Sequence, residues 1–363
     1  SSDPARDGIE RYVGLEHLEP GDLKLRRWGN VSDGTTFTSV FRAGQVLFGK
    51  RRAYQRKVAV ADFDGVCSGD IYVLEPKNEH LLPELLPFIC QTDGFFEHAV
   101  GTSAGSLSPR TNWDSLASYD FPLPPLEEQR RIVEMLKALE DVINVYFNLT
   151  EKLNDLSLIV SSIICEEALV DLKDFAVLVT KGTTPTTMNF SYVSEGVPFL
   201  RAEDVVNTRL DFDLCKMFID RITHNALARS QIKSHDVLLT IAGTIGRVAL
   251  VGTGEVEANC NQAVAIVRCK TPLQAEFIAA WLQSADAQKQ MRGEQVTGTI
   301  SNLSLGKIKH LKVPLLEESQ MQGYCNYIRY INMARTELKQ RIDSAQRLKS
   351  HALNSFMCCK ING

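Results

Sequence analysis

PPLEEQRRIVEMLKALEDVINVYFNLTEKLNDLSLIVSSI, running from Pro124 to Ile163, carries apolar residues at alternating spacings of three and four. The series is Ile132, Met135, Leu139, Val142, Tyr146, Leu149, Leu153, Leu156, Val160 and Ile163. That is an unbroken heptad seam, the pattern of a coiled-coil helix. Pro124 and Pro125 stand just ahead of the first turn, where proline is tolerated. Glu127 and Glu128 lie within it, where negative charge suits the helix dipole. About 40 residues at ~1.5 Å each give a rod of roughly 60 Å. A seam of that length needs a partner helix to leave water.

The partner is expected in the same chain. Leu123 to Gln129, LPPLEEQ, is echoed by Val313 to Gln320, VPLLEESQ, with Ser319 at the position of Gln129. A second seam follows through Met321, Tyr324, Ile328, Ile331, Leu338, Ile342, Ala345 and Ala352, interrupted by Arg335 and Lys349. Both segments exceed an ordinary helix of about 12 residues. An intramolecular coiled coil that holds two domains apart is therefore favoured over two helices that each cover only their own domain's core.

The chain has 363 residues, enough for two or three domains. Its hydrophobic content of 44% and charged content of 23% are ordinary for a soluble globular protein. A net charge of −4 argues against a uniformly basic nucleic-acid binder, although a local basic patch is what matters. The nine cysteines form no CxxC pair and are expected to be reduced, mostly buried thiols of a cytoplasmic protein. The histidines show no metal spacing, and no apolar run approaches the ~18 residues of a membrane span. The opening SSDPARDGIE lacks an initiator Met and suggests a trimmed start.

Residues 1–123 are expected to form one strand-rich α+β domain. RYVGLEHL (Arg11 to Leu18), GQVLFGK (Gly44 to Lys50), KVAVADFDG (Lys57 to Gly65) and GDIYVLEP (Gly69 to Pro76) predict strands. LLPELLPFICQTDGFFEHAVG predicts one helix, and GTSAGSLSPRTNW (Gly101 to Trp113) a polar loop. Residues 169–312 repeat the plan at an offset of about 190. GVPFLRAEDV, HDVLLTIAG, QAVAIVRCK, the helix LQAEFIAAWLQSADAQKQM and the loop VTGTISNLS take the corresponding places. Helices over 124–168 and 313–357 complete the division. DLKDFAVLVTKGTTPTT (Asp171 to Thr187) has no counterpart in the first copy, and a true N-terminus upstream of Ser1 is the favoured explanation. The side chains differ between copies while the plan is shared, which suits one scaffold reading two targets.

The sharpest local signal is GKRRAYQRK (Gly49 to Lys57), in which Lys50, Arg51, Arg52, Arg56 and Lys57 cluster with Tyr54, and Arg42 lies nearby. Phosphate contact needs such a cluster, and Arg also reads guanine edges bidentately. A solvated turn is the alternative. The equivalent turn TIAGTIGRVAL (Thr240 to Leu250) offers Thr244, Arg247 and backbone amides, which fit phosphate and a plain β-turn equally. The loops GTSAGSLSPRTN and TGTISN, with Ser108, Arg110, Asn112, Thr299 and Asn302, suit groove contact or any exposed loop. Lys181, Thr183 and Thr184 in KGTTP lack the spacing of a Walker loop or a dinucleotide fingerprint. Arg201 completes the candidate contacts.

No catalytic pattern is present. GxSxG, HExxH, a nuclease-type acidic pair and the Asn/Asp-Pro-Pro-Tyr/Phe motif of amino-methyltransferases are all missing. Glu16 and Glu203 recur at matching places, as structural hydrogen-bond acceptors following a buried strand.

In this order of parts the chain resembles the specificity subunits of type I restriction-modification systems. The resemblance is carried by LPPLEEQRRIV and VPLLEESQMQGY, the duplicated domain-helix plan, LFGKRRAYQRKVAV, KGTTP and TGTISNLS, and it covers essentially the whole chain. It implies two target recognition domains, each reading one half of a bipartite site in double-stranded DNA. It also implies an antiparallel coiled coil that sets the spacing and docks methyltransferase subunits, with a restriction subunit as a further partner. No cofactor is expected in this chain: S-adenosylmethionine, ATP and Mg²⁺ would serve the partners. Two recognition faces about one DNA turn apart, ~34 Å, are within reach of such rods. A recognition subunit of a related restriction-methylation enzyme, and a coiled-coil scaffold that binds no DNA, stay open as alternatives.

Overall fold

The computed structural model describes residues 4, 6–165, 167–205, 210, 212, 215–254, 256–292 and 302–358. The chain divides into two compact units, Ser1–Leu149 with Leu338–Gly363, and Thr150–Glu337.

The first unit contains β1 (Arg11–Val13), β2 (Gly29–Asn30), β3 (Ser39–Phe41), β4 (Val46–Gly49), β5 (Val58–Val60), β6 (Gly65–Cys67) and β7 (Ile71–Leu74). One sheet has the order β2-β1-β6-β3 and the other β5-β4-β7. β1 runs parallel to β6, whereas β4 pairs antiparallel with β5 and β7. Val46, Leu47 and Phe48 are all buried because β4 is central, and this is why it reads as a continuous apolar run. The stretch expected to be one helix from Leu81 is instead α1 (Leu86–Ile89) and α2 (Asp93–Gly101). Thr92 breaks it: its hydroxyl accepts from Phe95 N at 3.2 Å and starts α2 as an N-cap. The polar loop is a hairpin, β8 (Ser103–Ala104) with β9 (Arg110–Thr111), followed by the short helix α3 (Trp113–Ala117).

The second unit follows the same plan. After β10 (Leu169–Asp171) and β11 (Ala176–Lys181) come β12 (Val197–Leu200), β13 (Phe218–Ile219), α5 (Arg221–Ala226) and β14 (Gln231–Ile232). β15 (Val237–Thr240), β16 (Val248–Leu250), β17 (Ala258–Cys260) and β18 (Val264–Cys269) complete its two main sheets. Their orders are β13-β12-β17-β14 and β11-β18-β15-β16. β12 runs parallel to β17, as β1 does to β6, and β15 lies between β16 and β18, as β4 lies between β5 and β7. β11 covers the edge of β18, whereas among the described residues of the first unit no strand pairs on the outer side of β7. The expected helix is again two, α6 (Pro272–Trp281) and α7 (Ala285–Arg292), and a hydroxyl again marks the break: Ser284 Oγ accepts from Ala287 N. α8 (Leu305–Lys309) and β19 (Lys312–Pro314) return the chain, β19 pairing with β10.

Two long helices, α4 (Leu126–Ile164) and α9 (Glu318–Cys358), pass through both units. Within the first unit the start of α4 meets the end of α9: Lys349 Nζ donates to Glu140 Oε2 at 2.7 Å, both largely buried. Within the second unit the end of α4 meets the start of α9, where Ser161 and Tyr324 hydroxyls lie 3.5 Å apart. The pairing is antiparallel. On α9 the seam is as expected, Met321, Tyr324, Ile331 and Ile342 being buried. On α4 every second expected position is displaced by one residue. Leu136 and Ile143 are fully buried, whereas Val142, Leu149, Leu156 and Ile163 are exposed. The buried stripe includes the polar Gln129, Glu140 and Ser161, which counting apolar residues passes over. The helices also complete domain cores: Ile132, Leu136 and Leu353 pack with Phe88 and Phe95, and Met321 and Tyr324 pack with Phe277.

Candidate nucleic-acid interface

In the first unit the basic turn between β4 and β5 is built by side chains. Arg52 (φ 54°) and Arg56 (φ 55°) both adopt the left-handed conformation, bracketing a single 3₁₀ turn, Ala53–Gln55. Each such residue costs on the order of 1 kcal/mol and persists where its surroundings over-determine it. Here Arg52 N donates to Pro109 O at 2.7 Å. Arg56 pairs with Asp93 at 2.6 Å, donates to Gln91 O and lies over the Phe96 ring. Lys57 Nζ donates to Leu15 O at 2.6 Å, and Lys50 Nζ sits 4.4 Å from the Tyr72 ring centroid.

The β8–β9 hairpin is brought against this turn. Arg51 bridges Arg110 across an isolated antiparallel contact, and Thr111 N donates to Lys50 O at 3.0 Å. Between them lies Asp70. Arg110 Nε donates to its Oδ1 at 2.7 Å, and Arg51 Nη1 reaches Oδ2 at 3.3 Å while Arg51 Nη2 donates to Ser108 at 3.1 Å. The Arg110 hydrogen bond, with Arg51 beside it, holds the Asp70 carboxyl below the usual carboxylate range despite partial burial. Leu107, at the hairpin tip, is 90% exposed.

The expected contacts thus fall into two groups. Lys50, Arg51, Arg52, Tyr54, Ser108 and Arg110 come together on one patch, where Arg52 and Tyr54 are exposed and Arg52 has no carboxylate partner among the described residues. Arg56, Lys57 and Asn112 engage their polar groups with other atoms of the domain; Asn112 caps α3 by accepting from Ser115 N. Arg42 precedes β4 and so stands at the far end of that strand from the turn.

In the second unit the equivalent turn is built by backbone and neutral groups. Thr240 Oγ1 donates to Thr244 O and accepts from Arg247 N, closing the turn around Gly243 and Gly246, both at positive φ. A Cβ at Gly246 would lie 2.6 Å from Gln288 Oε1, and Gln288 Nε2 donates to Gly246 O at 2.8 Å. Leu303 N donates to Ile241 O at 2.9 Å, the counterpart of Thr111 on Lys50. Arg247 and Asn302 are exposed, and Arg247 has no carboxylate partner among the described residues. Thr299 lies outside the described residues.

KGTTP forms a separate corner beyond β11. Gly182 is required there, because a Cβ would lie 2.1 Å from both Cys260 O and Asn261 O. Thr183 accepts from Arg229, Thr184 donates to Gln262, and Lys181 is exposed. Arg201 is exposed and pairs with Glu203 at 3.0 Å.

Sequence reasoning missed Asp70, Arg229 and Gln262. The available signal for Asp70 was a lone acid at the start of the strand that pairs beside a cation run. Among the described residues no His, Cys, Asp or Glu group is arranged to hold a metal ion, the cysteines from Cys67 to Cys325 are free, and no helix is long and apolar enough to cross a membrane.

One sheet-and-turn topology is thus built twice, each copy followed by a long helix and each carrying a different turn at the same strand end. The chain belongs to the family described as Type I restriction modification DNA specificity domain, which matches residues 32–155 and 167–322. It is 34% identical over 143 residues to the type I restriction enzyme EcoDI specificity subunit of Escherichia coli, covering 38% of this chain and 31% of that protein. It is 21% identical over 289 residues to the EcoBI specificity subunit of the same organism, covering 71% of this chain and 60% of that protein. The matches thus span less than two thirds of these relatives' length. A chain from a solved structure of a type I R-M system shares the fold at a TM-score of 0.57 with 18% identity, covering 97% of this chain and 93% of the other.

Proposed function

We propose that this chain is the DNA-reading subunit of a type I restriction-modification complex, each recognition domain reading one half of a bipartite site. The observation that carries this reading is the repeat itself: one topology, built twice, with a cation-rich turn in the first copy and a glycine turn in the second at the same strand end. A duplicated scaffold with divergent display fits two different half-sites. Arg52 and Arg247 act on phosphates, and the Arg51–Arg110 patch and Asn302 face base edges.

Partners supply the chemistry. The exposed apolar stripe of α4 (Val142 and Leu149 in the first unit, Leu156 and Ile163 in the second) and Tyr327, Tyr330 and Met333 of α9 are surfaces for methyltransferase subunits. A restriction subunit joins the same cytoplasmic complex. S-adenosylmethionine, ATP and Mg²⁺ belong to those partners, and this chain carries no catalytic step. The methyltransferase flips its target adenine out of the stack while this subunit holds the duplex.

The test is co-expression with the matching methyltransferase subunit in a host lacking adenine methylation, followed by mapping of modified adenines. One two-part motif with a fixed gap is the expected result. A soluble complex that modifies nothing, or only one contiguous motif, would overturn the reading.

A further inference from the structure

We propose that Asp70 is the positioning residue of the first recognition domain: its carboxylate presets the guanidinium groups of Arg51 and Arg110 as base-reading donors for one half of the DNA site. This rests on the function proposed above.

Three stretches of chain converge at the carboxylate. Arg51 comes from the turn after β4, Arg110 from β9 and Asp70 from the turn before β7. Asp70 takes Nε of Arg110 at 2.7 Å and Nη1 of Arg51 at 3.3 Å, and Ser108 takes Nη2 of Arg51 at 3.1 Å. The side chains of Arg110 and Arg51 are 52% and 38% exposed, that of Asp70 19%, so the acid is the least accessible of the three. Arg110 Nη2 also reaches Asp70 Oδ2 at 3.4 Å, and Arg51 Nε is buried without a partner. A guanidinium has five N–H donors, so free Nη hydrogens remain on both arginines.

An acid among cations weakens attraction to phosphate, so affinity alone does not explain it. What the carboxylate contributes is geometry. A surface arginine gives up much of its rotamer freedom on binding, and one already held in place gives up less.

The second copy shows that the scaffold does not need this acid. In register, Val46 opposite Leu74 corresponds to Val237 opposite Val267, which puts Ala263 at the place of Asp70. The backbone bond is kept, Lys50 N to Asp70 O at 3.0 Å and Ile241 N to Ala263 O at 2.8 Å. The carboxylate is absent where the turn carries no arginine pair to orient.

The experiment uses the co-expressed methyltransferase complex. The wild-type motif is mapped first; if that map holds no two-part motif, the underlying reading fails and this proposal falls with it. Asp70→Ala and Asp70→Asn are then mapped, with melting temperature and salt-dependent binding to non-specific duplex measured alongside. The expected result is that one half of the motif loses base preference by about tenfold at one or more positions while the other half is kept. Non-specific binding should hold or strengthen, since a negative charge has gone, and Asp70→Glu should restore part of the preference. Retention of both halves would overturn the proposal. So would joint loss of specific and non-specific binding with a lowered melting temperature that Asp70→Glu does not repair.

Discussion

The turns after β4 and β15 occupy the same place in two copies of one fold, yet they are held by opposite means. The first uses charge: two arginines at positive φ, an ion pair to Asp93 and a carboxylate shared between Arg51 and Arg110. The second uses a threonine hydroxyl, two glycines and the Gln288 amide. A scaffold whose strands and helix breaks are fixed by buried apolar residues leaves its turns free to change chemistry. Divergence is then confined to what the domain displays.

The same contrast extends to how each domain is fastened, and the largest expected effect breaks it there. Gly182→Ala drives a Cβ into two backbone carbonyls that frame the second domain's KGTTP corner. A loss of about 4 kcal/mol or more is expected, confined to the second unit, and hydrogen exchange resolved by residue would check it. Lys349→Met leaves Glu140 buried without its partner in the first unit, whose Oε1 already makes no hydrogen bond. Thermal unfolding should register about 3–5 kcal/mol, most of it recovered when Glu140→Leu is added.

Smaller effects sharpen the comparison of the turns themselves. Arg52→Ala and Arg247→Ala should each lower the slope of log affinity against log salt by about one and weaken all sequences alike. Arg56→Ala should leave that slope unchanged and lower stability instead, because its guanidinium is engaged with Asp93 and Gln91. The smallest effect concerns Asp171, whose carboxyl Lys312, His310 and Lys173 hold well below its ordinary range. A carboxylate with a depressed folded-state pKa stabilises above its unfolded value and loses that contribution as pH falls through the folded one. The stability gap between wild type and Asp171→Asn should therefore be full at pH 5–7, begin to narrow near pH 4 and close only well below it, as the folded-state carboxyl takes up its proton. A gap that persists in acid would show that the Asp171 ion pairs do not fasten β10 to β19.

Much of this was legible in the sequence. The repeat, the central strands and the α9 seam follow from buried apolar periodicity, which local pattern records directly. The breaks at Thr92 and Ser284 were not read, because a hydroxyl N-cap inside an apolar run looks like one more helical residue. The α4 register was half wrong for a similar reason. Glu140 and Gln129 are buried through partners distant in sequence, Lys349 for the first and the backbone of His80 and Leu82 for the second. The candidate site was legible as a cluster of cations but not as an arrangement, since Asp70, Arg51 and Arg110 meet only after the sheet and hairpin form.

The end of α9 has a consequence for biosynthesis. Leu353 is buried in the first unit's core, and Asn354 hydrogen-bonds both the backbone and the carboxylate of Asp93. The second unit is a continuous run of chain, Thr150–Glu337, whereas the first is completed by Leu338–Gly363. On the ribosome the domain made first is therefore finished last. Its hydrophobic gap stands open for the roughly ten seconds or more that translation of the second unit takes, and chaperone dependence should concentrate there.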